Sequence, residues 1–217
     1  MKIIKMSRLI IFDCDGVLVD SEPLSNQVIA EILCEIGIPM TTKEAIGLFA
    51  GGSLKRVSDF VVSKTGQSLS PEYEAIYRRR SYALFREALQ PIPGVHEAIE
   101  KLPFSKCVAS NGPLQKMKLN LNITGLDIFF GEYLFSAYEV GYWKPDPRLF
   151  LHAAEKMGFY PSDCIVIEDS IHGIRAAKSA GMKVLGFSSS THEDQLKSEN
   201  IPLFHSMTDL ADILNTY

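Results

Sequence analysis

Short apolar runs alternate with helical hydrophobic patterns along most of this chain of 217 residues. The apolar runs have the length of buried strands. They predict strands at Leu9 to Phe12, Cys107 to Ser110, Tyr133 to Phe135, Cys164 to Ile167 and Lys183 to Phe187. Helical patterns at 93–102, 147–157, 171–180 and 209–214, and another opening at Gly112-Pro113, separate these runs. Strands that alternate with helices are typical of βαβ units, so we predict an α/β fold with a doubly wound, mostly parallel sheet.

One segment interrupts the alternation. Between Glu22 and Leu89 the pattern is helical throughout, beginning with apolar residues at Leu24, Val28 and Ile32 on one helix face. This stretch is much longer than an ordinary connection between a strand and a helix. We therefore predict a small α-helical domain inserted after the first strand. The predicted boundaries are residues 21–90 for the insertion, and 1–20 with 91–217 for the α/β core domain.

Composition and charge exclude several classes of protein. The apolar fraction of 46% is typical of a globular chain that buries a real core, and the net charge of −4 does not favour nucleic acid binding. No apolar run reaches the roughly 18 residues of a membrane span, and the N-terminal apolar stretch is too short for a signal peptide. The four cysteines lack CxxC spacing, which favours reduced thiols in the cytoplasm. We expect a cytoplasmic monomer or weak dimer that acts on a small molecule.

Reactive side chains follow the predicted strands. The carboxyl ends of parallel strands meet at one edge of a sheet, where open α/β proteins bind their ligands. The loops at this edge are predicted to carry Asp13 and Asp15, then Ser110 and Asn111, then Lys144 before a helix, and finally Glu168 and Asp169. The sequence therefore predicts that these residues form one site.

This set of groups fits phosphoryl transfer. An aspartate such as Asp13 can act as a nucleophile, and a second carboxylate such as Asp15 can donate and accept the proton. Mg²⁺ takes carboxylate, carbonyl and water oxygens, which Asp13, the Asp15 carbonyl and Asp169 could supply. Ser110 and the following amides suit phosphate binding at a helix start, and Lys144 adds a positive charge.

The four loops together resemble the haloacid dehalogenase superfamily. The motifs that carry the resemblance, in the order in which the family has them, are Asp13-Cys14-Asp15-Gly16-Val17, Ser110-Asn111-Gly112, Lys144-Pro145-Asp146-Pro147 and Glu168-Asp169-Ser170. The resemblance implies a Rossmann-like core and a phosphatase mechanism with an aspartyl-phosphate intermediate. It implies that Asp13 is the nucleophile and Asp15 the general acid and base. It also implies that Ser110, Asn111 and Lys144 bind phosphate. Asp13, Asp15 and Asp169 are expected to hold Mg²⁺, with Glu168 as a direct or water-mediated ligand.

The insertion resembles the helical cap domain of one phosphatase branch of this superfamily. Its loop at Gly51-Gly52 precedes Ser53 and Lys55, which we consider candidates for contacts to the leaving group of the substrate. The alternative reading of such a loop is a flexible turn between two helices. The substrate is therefore expected to depend on this domain.

Three functions stay open at this point. Stretches after Ser110 and around Lys144 are similar to bacterial 6-phosphogluconate phosphatases, which favours a phosphatase for sugar or sugar-acid phosphates. A β-phosphoglucomutase-like enzyme is the alternative, but the mutases carry a histidine in the first cap helix, whereas the first histidine here is His96. The third reading, a non-catalytic binding protein with the same fold, is disfavoured because the nucleophile, the lysine and the metal-binding acids are all present.

Overall fold

The structure, a computed structural model, describes residues 8–188 and 193–217. The chain divides into two compact units. The first consists of Met1–Val19 and Pro91–Tyr217, and the second consists of Asp20–Gln90. The second unit is therefore, in sequence, an insertion into the first.

The first unit is built on one parallel sheet. Its six strands in the described residues are β1 (Leu9–Phe12), β2 (Ser105–Ser110), β3 (Leu134–Ser136), β4 (Cys164–Glu168), β5 (Lys183–Phe187) and β6 (Leu203–Phe204). They lie in the order β3-β2-β1-β4-β5-β6, and every neighbouring pair is parallel. The chain first builds outward from β1 through β2 and β3, then returns to the other side of β1 with β4. In open α/β sheets, ligands bind where the strand order reverses, which here is the carboxyl end of β1.

The helices follow the expected alternation. In chain order they are α1 (Glu22–Glu35), α2 (Thr42–Phe49), α3 (Leu54–Thr65), α4 (Tyr73–Ala88), α5 (Val95–Glu100), α6 (Leu114–Ile123), α7 (Asp127–Phe130), α8 (Ala137–Val140), α9 (Arg148–Met157), α10 (Ile171–Ser179), α11 (Glu193–Lys197) and α12 (Leu210–Thr216). Short 3₁₀ turns lie at Pro161–Asp163 and Met207–Asp209.

Both faces of the sheet are buried. Successive side chains of a strand point to opposite faces, and all four residues of β1 are fully buried. Leu9 and Ile11 belong to a core cluster that includes Phe150 of α9. Phe12 makes an edge-to-face contact with Phe130 of α7, with ring centroids 5.8 Å apart. The predicted fold class, a parallel α/β sheet with flanking helices, is confirmed.

The second unit consists of α1 to α4. Helix α1 packs against α2 and α4, and the unit has a hydrophobic core of its own that includes Val28, Leu33, Phe49, Val57 and Val61. Helix α2 begins with a capping box, in which the side chains of Thr41 and Glu44 each accept a hydrogen bond from the backbone N–H of the other.

Several details differ from the sequence prediction. Strand β2 begins two residues earlier than predicted, at Ser105, and the two-residue strand β6 and the one-turn helices α7 and α8 were not predicted. Elements this short carry too few residues to show a hydrophobic period. The four cysteines are free thiols, of which Cys34 alone is exposed. Among the described residues, no helix is both long and apolar enough to cross a membrane.

Candidate active site

The site is built around the carboxyl end of β1. There Phe12 pairs with Val108 of β2 on one side and with Ile167 of β4 on the other. The backbone N–H of Asp13 continues the ladder by donating to the Ile167 carbonyl at 3.0 Å. Asp13 therefore leaves the sheet beside Glu168, the last residue of β4.

The loop after β1 turns sharply at Gly16. This residue has a φ of +82°, a left-handed conformation that favours glycine. A Cβ atom at Gly16 would overlap the carboxylate of Asp169. The missing side chain thus lets the loop after β4 approach the loop after β1, and brings Asp169 to the same edge as Asp13.

The loop after β2 is held by two hydrogen bonds from or to its glycine. The N–H of Gly112 donates to Ser110 Oγ at 3.0 Å, and Ser136 Oγ donates to the Gly112 carbonyl at 2.7 Å. A Cβ atom at Gly112 would lie 3.6 Å from Asp15 Oδ2. The buried Ser110 and the Asp15 carboxylate are therefore brought together at the start of α6.

Asn111 holds the backbone of Lys144. Its Oδ1 accepts a hydrogen bond from the Lys144 N–H at 2.8 Å, and its Nδ2 donates to the Lys144 carbonyl at 3.4 Å. Two loops that are far apart in sequence are joined at this point, and the Lys144–Pro145 peptide bond is cis. The structure thus places the Asn111 side chain on Lys144, while phosphate binding by Asn111 stays a prediction.

The Lys144 ammonium group lies between two carboxylates. It forms ion pairs with Asp13 and, at 2.6 Å, with Glu168. The exposed fraction of the Lys144 side chain is 3%, and that of Glu168 is 1%. Because water does not screen this triad, its charges interact strongly. Lys144 is thus directed at the predicted nucleophile.

Glu168 has partners on both of its oxygens. Oε1 accepts from Lys144, and Oε2 accepts from the N–H and hydroxyl of Ser170 at 2.8 and 2.9 Å. A Cβ atom at Gly173 of α10 would overlap this carboxylate. Glu168 is therefore confined between Lys144 and the first turn of α10.

Burial and neighbouring charges shift the pKa values of Asp13 and Lys144. Burial raises the pKa of Asp13 to about 7, because desolvation of the carboxylate, with repulsion from Glu168 and Asp15, outweighs the attraction of the Lys144 ammonium. Burial alone would lower the pKa of Lys144, but the charges of Asp13 and Glu168 raise it well above its usual value. Lys144 is thus held as a cation.

Asp15 is held by helix α6. Lys116 Nζ lies 2.8 Å from Asp15 Oδ1, and Asn120 Nδ2 lies 3.5 Å from the same oxygen. The sequence analysis did not identify Lys116 or Asn120 as site residues. Their spacing of four residues, which puts both on one helix face, was the available signal, but it has meaning only once α6 is known to face Asp15.

The donor set at this edge suits a hard cation. Carboxylate oxygens from Asp13 and Asp169, with the carbonyl of Asp15, are the ligands that Mg²⁺ prefers. Within residues 8–188 and 193–217, no group of three or more His, Cys, Asp or Glu side chains is arranged to hold a metal ion. That finding is compatible with Mg²⁺, which is usually bound by one or two carboxylates and keeps several waters.

The two predicted cap-domain contacts, Ser53 and Lys55, belong to the second unit. Ser53 is the residue before α3 and makes no side-chain capping bond. Lys55 forms an exposed ion pair at 2.7 Å with Asp59, one turn further along α3. Their role in substrate binding stays a prediction.

Comparison with known proteins assigns the chain to a family. A family model described as a haloacid dehalogenase-like hydrolase matches residues 7–181. The chain belongs to this family. The 6-phosphogluconate phosphatase of Escherichia coli (strain K12) is 33% identical over 211 residues, which cover 96% of each chain. Hexitol phosphatase B of the same strain is 30% identical over 178 residues, which cover 80% of each chain.

A solved structure supports the same assignment. A haloacid dehalogenase-like protein of unknown function from Agrobacterium tumefaciens str. C58 matches with a TM-score of 0.85 and 34% identity, over 96% of this chain and 97% of that chain. The predicted family is confirmed. So is the predicted class of enzyme: the chain is a haloacid dehalogenase-like phosphatase.

Proposed function

We propose that this phosphatase hydrolyses small sugar or sugar-acid phosphates, such as 6-phosphogluconate, with Mg²⁺ and through an aspartyl-phosphate on Asp13. The observation that carries the proposal is the buried Lys144 ammonium, held between Asp13 and Glu168. A fixed cation beside the predicted nucleophile stabilises the negative charge of a phosphoryl group as it is transferred.

The first step uses both aspartates of the first loop. An Asp13 carboxylate oxygen attacks the phosphorus atom, and the bond between phosphorus and the ester oxygen breaks. Asp15 donates its proton to the departing oxygen, which leaves as an alcohol. Ser110 and Lys144 bind the phosphoryl oxygens during this step.

The second step returns the enzyme to its starting state. The Asp15 carboxylate removes a proton from water, and the water oxygen attacks the phosphorus of the aspartyl-phosphate. The bond between Asp13 and phosphorus breaks, so that inorganic phosphate is released, Asp13 is again a carboxylate and Asp15 again carries a proton. Asp15 thus acts as a general acid in the first step and as a general base in the second.

Mg²⁺ would be held by the carboxylates of Asp13 and Asp169 and by the carbonyl of Asp15. When bound, the ion neutralises part of the negative charge of the carboxylates and the phosphoryl group. Glu168 is proposed to contribute indirectly, since Lys144 and Ser170 already engage its two oxygens.

The choice of substrate rests on the relatives and on the insertion. Two relatives at 30% identity or more are named for 6-phosphogluconate and hexitol phosphates, which supports a sugar-like leaving group. The side chains of the first unit around Asp13 are proposed to bind the phosphoryl group and not the sugar. We therefore propose that residues 21–90 act as a cap domain that selects the leaving group, with Ser53 and Lys55 as candidate contacts, and that the enzyme works in the cytoplasm.

A substrate screen tests the proposed function. Purified protein is incubated with 6-phosphogluconate, a hexitol phosphate, glucose 1-phosphate and p-nitrophenyl phosphate, with Mg²⁺ or with EDTA, and phosphate release is measured. We expect release from the sugar-type esters with Mg²⁺ only. Asp13→Asn is expected to lower kcat by about 10⁴-fold or more, because the nucleophile is lost.

The same screen separates the alternatives. Isomerisation of the sugar phosphate without net phosphate release would favour a mutase. Turnover by D13N at the wild-type rate would refute the covalent mechanism, and strong activity on p-nitrophenyl phosphate with none on sugar-type esters would refute the proposed substrate class.

A further inference from the structure

Helix α6 presents a lysine to the predicted proton carrier. Lys116 Nζ lies 2.8 Å from Asp15 Oδ1, and the exposed fractions of the two side chains are 18% and 23%. Because both groups are largely removed from water, this ion pair is worth more than one on an open surface. The proposed mechanism gives Lys116 no direct contact with substrate.

A second residue of α6 reaches the same oxygen. Asn120, one helical turn after Lys116, is fully buried, and its Nδ2 lies 3.5 Å from Asp15 Oδ1. Within the described residues its Oδ1 has no hydrogen-bond partner. A buried amide with an unpaired oxygen is costly to the fold, so packing does not account for an asparagine at this position. Contact with Asp15 does account for it.

The helix that carries these two residues is firmly placed. Met117 and Leu121, on its inner face, are buried in the first unit. The loop before α6 is held by the hydrogen bond from Ser136 Oγ to the Gly112 carbonyl. Because Gly112 has no side chain, the aliphatic part of Lys116 can lie close to Asp15. The contact with Asp15 is thus made from a rigid element, which suits precise positioning.

We propose that Lys116, assisted by Asn120, is a positioning residue that holds the Asp15 carboxylate in the orientation in which it exchanges protons. Once Asp15 has given its proton to the leaving oxygen, the anionic phosphoryl group on Asp13 repels its carboxylate. Without an opposing cation the carboxylate would turn away from the water from which it takes the next proton. The inference rests on the proposed function, because it takes Asp15 as the group that donates and accepts the proton.

Substitution of Lys116 tests the inference. In steady-state hydrolysis of the best substrate from the screen, Lys116→Met is expected to lower kcat by about 10- to 100-fold, because a misplaced catalytic group slows the chemical step. KM is expected to change less than about threefold. Lys116→Arg keeps a cation and should recover part of kcat. Lys118→Met, on the exposed face of the same helix, is the matched control and should resemble wild type.

A double substitution shows whether Lys116 acts through Asp15. If it does, adding Lys116→Met to Asp15→Asn lowers kcat no further, whereas independent effects would multiply. Thermal unfolding of each variant shows whether it is folded. If Lys116→Met does not fold, the kcat values of Lys116→Arg and Asn120→Ser are used in its place.

Three results would overturn the inference: wild-type kcat in Lys116→Met, a rise in KM alone, or multiplied losses in the double variant. If Asp15→Asn is inactive while Lys116→Met is fully active, this inference fails and the proposed function stands. If Asp15→Asn itself turns over at the wild-type rate, the proposed function fails.

Discussion

Lys144 shows how one residue serves both the fold and the chemistry. An ammonium group that is almost entirely buried costs free energy unless it is paired, and here it is paired twice, with Asp13 and Glu168. The same two contacts place the cation beside the predicted nucleophile. Removing Lys144 should therefore harm stability as well as turnover.

Lys144→Met is expected to lower the free energy of unfolding by about 3–5 kcal/mol, because the buried carboxylates of Asp13 and Glu168 lose the cation that pairs with both. Urea unfolding monitored by fluorescence measures this loss. Lys197→Met removes an exposed ion pair with Glu193 and should cost less than about 1 kcal/mol. Equal losses in the two variants would show that the buried triad stabilises the fold no more than an exposed pair does.

The positions of three of the four motifs could be predicted from sequence because each directly follows a strand. Asp13, Ser110 and Glu168 are all at strand ends in the structure. Lys116 and Asn120 could not be predicted in this way. A lysine on a helix is usually solvated, and nothing in the local pattern shows which loop the helix will face.

At the scale of elements, close approach between a strand end and a helix organises the site. Helix α10 lies so close to the end of β4 that the Glu168 carboxylate occupies the space where a Cβ atom of residue 173 would be. Glycine in a helix normally weakens it relative to alanine by about 1 kcal/mol. At Gly173 the lack of a side chain is instead a requirement of the packing.

Gly173→Ala is therefore expected to destabilise the protein and to lower kcat, because the added methyl group displaces Glu168 and with it Lys144. Gly47→Ala in α2 is the matched control, since a Cβ atom there meets nothing within 4 Å. This control should raise the free energy of unfolding by up to about 1 kcal/mol. In thermal unfolding, Gly173→Ala is thus predicted to lower the midpoint temperature and Gly47→Ala to raise it. A higher midpoint in both variants would show that α10 has room for a side chain at Gly173.

At the scale of the whole molecule, the buried carboxylate of Asp13 links stability to pH. Its pKa is raised from 3.8 to about 7 in the folded protein. Between these pH values the folded state keeps a proton that the unfolded state has released. The free energy of unfolding therefore falls as the pH rises from about 4 to about 7, and above that range the loss is complete.

In protein freed of divalent cations, this contribution should make the free energy of unfolding lower at pH 8 than at pH 5, by at most about 2.5 kcal/mol. Mg²⁺ favours the charged carboxylate, so it should raise the thermal midpoint more at pH 8 than at pH 5. Asp13→Asn is the control, and it should lose most of the pH dependence and of the response to Mg²⁺. Equal pH profiles for this variant and wild type would contradict the prediction.

The sequence by itself determined the alternation of strands and helices and the four motifs that identify the family. These properties can be read without the fold, because a hydrophobic period, a turn or a motif consists of residues that are close in sequence, and the order of the motifs is the order of the chain. Only the tertiary structure decided that Asn111 holds Lys144, that Lys144 joins Asp13 to Glu168, and that α6 directs Lys116 at Asp15. Such contacts join residues 24 to 131 positions apart, and they arise from strand order and helix packing, which no local pattern encodes.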